Sequence, residues 1–425
     1  MIPSDMLFRS SWVPWRLARR MEDWAEGPLR ARFPALYRGL HCGRLRNLIQ
    51  PVTSGPMHHF FGYYDKSPWN RSGDKLLALR VPFADRPPDE NDAAVVGWVH
   101  SDGNGRFTPL GETLAWNWQQ GCMLQWHPAD PDSLICHNHR EGDRLVGLVR
   151  NLKGAVEAHY ERPFYAIRPD GKGAVSLNFS RLQRFRPGYG YPGVPDPWAG
   201  EAVPERDGLW WMDLRSGASE LLLSLKEIAA VEPRIYPMDV PHWVNHVQFS
   251  PRGTRFAFLH RWLHPARGWA TRLLVVEADG TRLRSVIATG VVSHYDWKDE
   301  EHLLAWALGP EKRPAFHLYN VETGRFRVVG SDCMKEDGHC SFSPDGRWIL
   351  NDTYPDGYGM RTLYLYDLQR GRRINLERLL SPARYRGETR CDLHPRWKGD
   401  GTAVCIDSSH TGSRQMYVVN LKPVL

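Results

Sequence analysis

The chain has 425 residues, 42% of them hydrophobic, and a formal charge of +7. Its 18 Trp, 16 Tyr, 38 Gly and 32 Pro favour aromatic strands joined by tight turns over a helical protein. No segment approaches the roughly 18 consecutive apolar residues of a spanning helix. Lys and Arg are scattered rather than gathered on one arm, which argues against nucleic acid and leaves an acidic small ligand as the partner that the positive balance suits.

In chain order, residues 1–50 stand apart. Trp15, Leu17, Ala18, Met21 and Trp24 have a loose helical spacing among Arg and Glu, so a short, partly helical N-terminal arm is expected. The same stretch has no apolar core followed by a small-residue cleavage site, the pattern of an export signal. Seven cysteines, Cys42, Cys122, Cys136, Cys333, Cys340, Cys391 and Cys405, include no CxxC pair. The expectation is reduced thiols and a cytoplasmic protein.

Residues 51–425 carry a repeat. Its first half is a strand, a Ser-Pro-Asp-Gly type turn and a second strand, clearest in HVQFSPRGTRFAFLH (246–260) and HCSFSPDGRWILND (339–352), with weaker copies at 294–307 and 394–407. Its second half is another strand pair around an Asp/Thr-Gly type turn, as in FHLYNVETGRFRVVG and LYLYDLQRGRRINL. A four-stranded unit of about 45 residues is the size of a propeller blade. Earlier units read as GYYDKSPWNRSGDKLLAL with VVGWVHSDGNGRFTPL, then LQWHPADPDSLICHNH with FYAIRPDGKGAVSL. An irregular unit near Ser180 follows, with RPGYGYPGVPDPWAG inserted between its inner strands. The count is seven, so the expected fold is an all-β, seven-bladed β-propeller. The last unit is one strand short, and LRNLIQPV, before the first repeat, is the expected closing strand.

His246, His294, His339 and His394 each lie four residues before the turn position (Ser250, Lys298, Ser343, Lys398). Four successive blades thus carry His at the start of the innermost strand, around one mouth of the channel. Imidazoles converging there suit a divalent metal, Zn or Mn, or a catalytic base. The second strand returns to the same mouth, bringing His137, Asn138, His139, Arg140, His260, Arg261, Asn351, Asp352 and Ser408 to His410 with it. HHFFGYYDK adds His58, His59, Tyr63, Tyr64 and Asp65. RLQRFRPGYGY adds Arg184, Arg186, Tyr189 and Tyr191, where Arg suits a carboxylate. There is no GxSxG elbow, HExxH helix, P-loop or dinucleotide fingerprint.

At HVQFSPRGTRFAFLHRW, HCSFSPDGRWILNDTYPDG and HHFFGYYDKSPWNRSGDKLL the sequence resembles TolB-like propellers. Among these it resembles the propeller polysaccharide lyases that act on oligogalacturonate and ulvan, over about residues 57–425. The resemblance implies a metal-containing β-eliminase acting on an acidic, uronate-containing oligosaccharide, with His246, His294, His339 and His394 where metal or base is held. Such chemistry needs a base, a charge stabiliser and an acid. The candidates are His139 or a ring histidine for the base, a metal or Arg184 and Arg186 for the stabiliser, and Tyr63, Tyr64 or Tyr189 for the acid. A non-catalytic propeller binding a glycan or protein partner is the alternative, and a hydrolase using the same histidines a weaker one.

Overall fold

The computed structural model describes residues 48–103, 106–234, 237–266 and 268–425. The expected arm falls almost entirely outside the described residues. Seven four-stranded antiparallel sheets follow one another. Blade 1 spans 58–113, blade 2 125–160, blade 3 166–224, blade 4 242–290, blade 5 292–329, blade 6 341–380 and blade 7 396–420. The fourth strand of blade 7 is Ile49–Pro51, which pairs Ile49 with Val419 and Pro51 with Tyr417. Ring closure thus joins the two ends of the described chain and leaves no open first or last sheet edge.

Each blade packs its faces against its neighbours, so its second strand reads as a continuous apolar run. Lys75–Val81 (KLLALRV) and Trp348–Asp352 (WILND) are buried nearly throughout. Outer strands such as Phe326–Val329 are largely exposed. The turns explain the Ser-Pro-Asp-Gly signature. Ser343 N–H donates to Trp348 O at 2.9 Å, its Oγ accepts from Trp348 N at 2.9 Å and donates to Asp345 Oδ1 at 2.5 Å, and Gly346 takes φ +68°, a left-handed value that glycine adopts freely.

Two expectations need correction. FYAIRPDGKGAVSL is the inner pair of blade 3, Ala166–Ile167 and Gly173–Leu177, while Arg144–Asn151 and Val156–Tyr160 complete blade 2. The Gly/Pro/Tyr insertion therefore joins the second and third strands of blade 3, not its inner pair. It opens with the helix Phe179–Phe185, whose N-cap Asn178 accepts from Arg181 N–H. Because strands alternate in direction, this insertion, the loops 82–93, 114–124, 330–340 and 381–395, and the starts of all inner strands lie at the same end of the barrel of blades.

The inner strand of blade 1 is broken. Phe60 pairs with Leu79, and the next bond on that strand is Leu77 N–H to Pro68 O at 2.9 Å. Residues 61–67 thus stand opposite Ala78 alone and turn inward across the channel. Gly62 makes the departure at φ +133°, and a Cβ there would lie 2.8 Å from the Gln120 carbonyl carbon. Arg396 in blade 7 secures the crossing by donating to the Gly62 and Tyr63 carbonyls while pairing with Asp407 at 3.0 Å.

Candidate active site at the channel mouth

The inward segment puts Tyr63 in the middle of the histidine tier. Its ring centroid lies 5.0 Å from that of His246, 6.4 Å from His294, 6.1 Å from His339 and 5.1 Å from His394. The rings of His294 and His339 are 4.2 Å apart, and those of His339 and His394 4.3 Å. Tyr64 continues beneath. Its hydroxyl accepts from Tyr295 N–H and donates to Tyr295 O, both at 2.9 Å, across the channel. Tyr63 and Tyr64 fill the channel at the histidine tier, where they and the four histidines are all buried.

His246 and His394 take positive φ, +55° and +42°, a conformation that costs a non-glycine residue on the order of 1 kcal/mol or more. Surrounding bonds hold His246 there. Its N–H meets the Tyr165 hydroxyl at 2.8 Å and Asn245 Oδ1 at 2.7 Å, its carbonyl accepts from the Tyr295 hydroxyl, and its ring stacks on Tyr295. Strain of this kind concentrates at functional sites.

Carboxylates orient the other histidines. His339 Nδ1 is 2.9 Å from Asp352 Oδ1, so Nδ1 carries the proton and Nε2, buried and without a partner, faces the tier. His294 Nδ1 bonds Asp337 Oδ1 at 2.9 Å, which likewise leaves its Nε2 lone pair free. Burial lowers the His294 pKa, with Asp337 opposing and His339 reinforcing. Burial sets His246 and His394 well below the ordinary imidazole value. At neutral pH these three rings are neutral, as a base or a metal ligand requires.

His339, Asp392 and His394 offer ligand atoms that all lie within 4.8 Å of one another. Both ring nitrogens of His394 are buried without a hydrogen-bond partner, and its Nε2 lies 3.9 Å from Asp392 Oδ2. Asp392 is ionised: burial works against the charge, but Arg390 at 2.7 Å and Arg361 at 2.7 Å hold its pKa well below the carboxylate range. Two imidazoles and one carboxylate, with Asp352 behind His339, form a donor set that fits a divalent ion. His246 and His294 lie outside this three-residue group.

One wall is cationic. Arg261 is 9% exposed, has no carboxylate partner among the described residues, and is lowered to about 10 by burial and by the neighbouring Arg186. Arg186 lies over the rings of Tyr189 and Trp269. The Tyr189 hydroxyl accepts from Arg390 Nη2 at 2.8 Å. Burial pushes this phenol up, but Arg390 and Arg186 outweigh it and the pKa is lowered. Tyr63 goes the other way, raised well above the phenol range by burial and by the tyrosines around it.

Other expected residues stand elsewhere. The Tyr64 hydroxyl is committed to the Tyr295 backbone, so it is a closure of the channel rather than a proton donor. Arg184 is turned to the Ala199 carbonyl at 2.6 Å and is 44% exposed. His139 sits in blade 2 among Glu141, Arg150, Arg140 and His159, without a ring contact to the tier. His59 is held by Gln415 Oε1 at 3.0 Å. The sequence reading did not single out Asp392, Asp337, Arg390 and Arg361. Asp392 had a signal: two residues before His394, it lies in the run DLH that opens the last inner strand.

No protein-family model and no curated protein matches the sequence. Among solved structures the chain is similar to an oligogalacturonate lyase in complex with manganese, at 17% identity over 89% of this chain and 95% of that one, TM-score 0.61. It is also similar to an oligogalacturonate lyase from Vibrio parahaemolyticus, at 14% identity over 88% and 93%, TM-score 0.60. TolB from Acinetobacter baumannii aligns more loosely, at 12% identity over 83% and 81%, TM-score 0.41. The fold of this chain is a seven-bladed β-propeller that resembles the propeller of oligogalacturonate lyase.

Proposed function

We propose that this chain is a metal-assisted carbon–oxygen lyase that cleaves a uronate-containing oligosaccharide by β-elimination. The observation that carries the reading is the pairing of the His339–Asp392–His394 donor group with Arg261, a buried guanidinium left without a carboxylate. A buried cation without a partner is costly, and a uronate carboxylate is a partner that repays it, with Arg186 alongside.

His294 is the base. With Nδ1–H donated to Asp337, Nε2 takes the proton alpha to the substrate carboxylate, and Asp337 steadies the imidazolium that forms. The electron pair becomes the new carbon–carbon double bond as the bond from the β carbon to the glycosidic oxygen breaks. Tyr63, central and held in its neutral form, donates its proton to the departing oxygen. Arg261 and Arg186 hold the carboxylate while its charge builds up. A divalent ion held by His339, Asp392 and His394, as manganese is present in the solved lyase, would supply Lewis-acid stabilisation of that charge. The six described cysteines are free, which supports a reducing, cytoplasmic setting.

The test is turnover of oligogalacturonate and related oligouronates with added Mn or Zn, read as the absorbance of the unsaturated product. Activity in the wild type that falls at least a hundredfold in His294→Ala supports the reading. Tight glycan binding without product would move the protein to the non-catalytic, glycan-binding alternative.

A further inference from the structure

We propose that the channel has a second cation site beneath the histidines, built from oxygens of Asp65, Gln248, Asp296 and Ser341, which takes a hard divalent ion of the Ca2+ type. Two residues beyond the histidines, the inner strands of blades 4, 5 and 6 carry Gln248, Asp296 and Ser341, all half-buried. Hydrogen bonds hold them at one level. Gln248 Nε2 donates to Asp296 Oδ1 at 2.6 Å and Phe342 N–H donates to Asp296 Oδ2 at 2.7 Å, so one carboxylate joins blade 4 to blade 6. The crossing segment 61–67 brings Asp65 to the same level, near enough to Asp296 to raise its pKa. Tyr64, bonded to the backbone of Tyr295 between His294 and Asp296, lies between this level and the histidines.

Three oxygens at this level are unmet. Asp65 Oδ1, Gln248 Oε1 and Ser341 Oγ are buried without a hydrogen-bond partner. Asp65 matters most: its side chain is 2% exposed, and Lys66 Nζ pairs with Oδ2 at 2.9 Å and leaves Oδ1 bare. A buried carboxylate oxygen without a donor or a cation is costly. Lys66, which also lies over the Tyr165 ring at 5.3 Å, brings one positive charge to two carboxylates. Burial raises Asp296 to about 7, with Asp65 reinforcing, the response of a carboxylate whose charge is not fully matched.

The donor set names the class of ion. Carboxylate, amide and hydroxyl oxygens with no imidazole or thiolate suit a hard cation, whereas the two imidazoles of His339 and His394 suit Zn or Mn. Ca2+ tolerates irregular oxygen geometry and completes its shell with water, while Mg2+ demands a near-ideal octahedron. The ammonium of Lys66 opposes a second cation, so the affinity is modest, with Kd on the order of 10⁻⁴ M, the range of sites with few charged ligands. Ion held this weakly is lost when free ion is removed, unlike a metal held by the histidines.

Ca2+ binding is measured by calorimetry, and thermal unfolding with and without Ca2+, on the full chain as wild type, Asp65→Asn, Lys66→Met and His394→Ala. The wild type is expected to bind one Ca2+. Asp65→Asn weakens binding by about tenfold or more, and Lys66→Met, which removes the opposing ammonium, tightens it by about tenfold. His394→Ala binds as the wild type does. Ca2+ raises the unfolding midpoint of the wild type and of Lys66→Met but not of Asp65→Asn. If Asp65→Asn does not fold, the direction of the change in Lys66→Met decides. No binding by the wild type at millimolar Ca2+, which would leave water as the occupant, overturns the proposal. So does unchanged affinity in Asp65→Asn, weaker binding in Lys66→Met, or loss of binding in His394→Ala, which would place the ion at the histidines. No arm reads turnover, so the outcome is independent of the lyase reading.

Discussion

Replacing Arg396 by Met removes a guanidinium that holds residues 61–67 across the channel. Arg396 is 2% exposed, pairs with Asp407 at 3.0 Å, and donates to two carbonyls of the crossing, Gly62 and Tyr63. Met fills much of the volume but leaves Asp407 buried with only the long contacts from Phe61 N–H at 3.3 and 3.4 Å. Breaking one side of a buried ion pair costs about 3–5 kcal/mol. The two stranded carbonyls belong to the same loss and are not added again. Urea unfolding followed by tryptophan fluorescence should show this loss, and Arg396→Met with Asp407→Leu should recover part of it, because no charge is then left unpaired. A loss below about 1 kcal/mol in the single variant, or no recovery in the double, would refute the reasoning.

Gly62→Ala should destabilise the fold, since the new Cβ meets backbone 2.8 Å away at a φ of +133°; thermal unfolding will show it, and an unchanged midpoint would contradict the account of the crossing. Asp337→Asn should lower kcat and move the acid limb of the rate profile to lower pH, because the carboxylate that opposes the burial-driven lowering of His294 is gone. For stability, burial lowers His59 to about 4, His242 to about 4 and His137 to about 3. The unfolded chain takes up these protons below about 6.5 and the folded chain does not. Stability is therefore full above pH 6.5, falls as the pH drops towards about 4 and levels off near 3. Urea midpoints from pH 7.5 to 4 that rise instead would contradict the sign.

The blades were legible because their turns are chemical. A Ser hydroxyl, an Asp acceptor and a left-handed Gly recur at a fixed spacing, and the four histidines keep step with them. The closing strand was legible because the last blade lacks one. Blade 3 was misread because FYAIRPDGKGAVSL fits an outer pair as well as an inner one by pattern alone. The inward turn of residues 61–67 was hidden for a different reason: Phe61, Tyr63 and Tyr64 read as strand residues, and only Gly62 marks the departure. The arginine wall and Asp392 come from loops far apart in sequence, so no local spacing could bring Arg261, Arg361 and Arg390 together. The carboxylates behind the histidines were half visible, Asp352 as a polar strand end and Asp337 not at all.

Metal analysis of protein purified without a histidine tag, after incubation with Mn or Zn and removal of free ion, tests the central claim most directly. The account predicts one bound divalent ion per chain in the wild type, and its loss in both His394→Ala and Asp392→Asn with unfolding midpoints that still report a folded propeller. A wild type that retains no metal, or a folded His394→Ala variant that retains it in full, would contradict it.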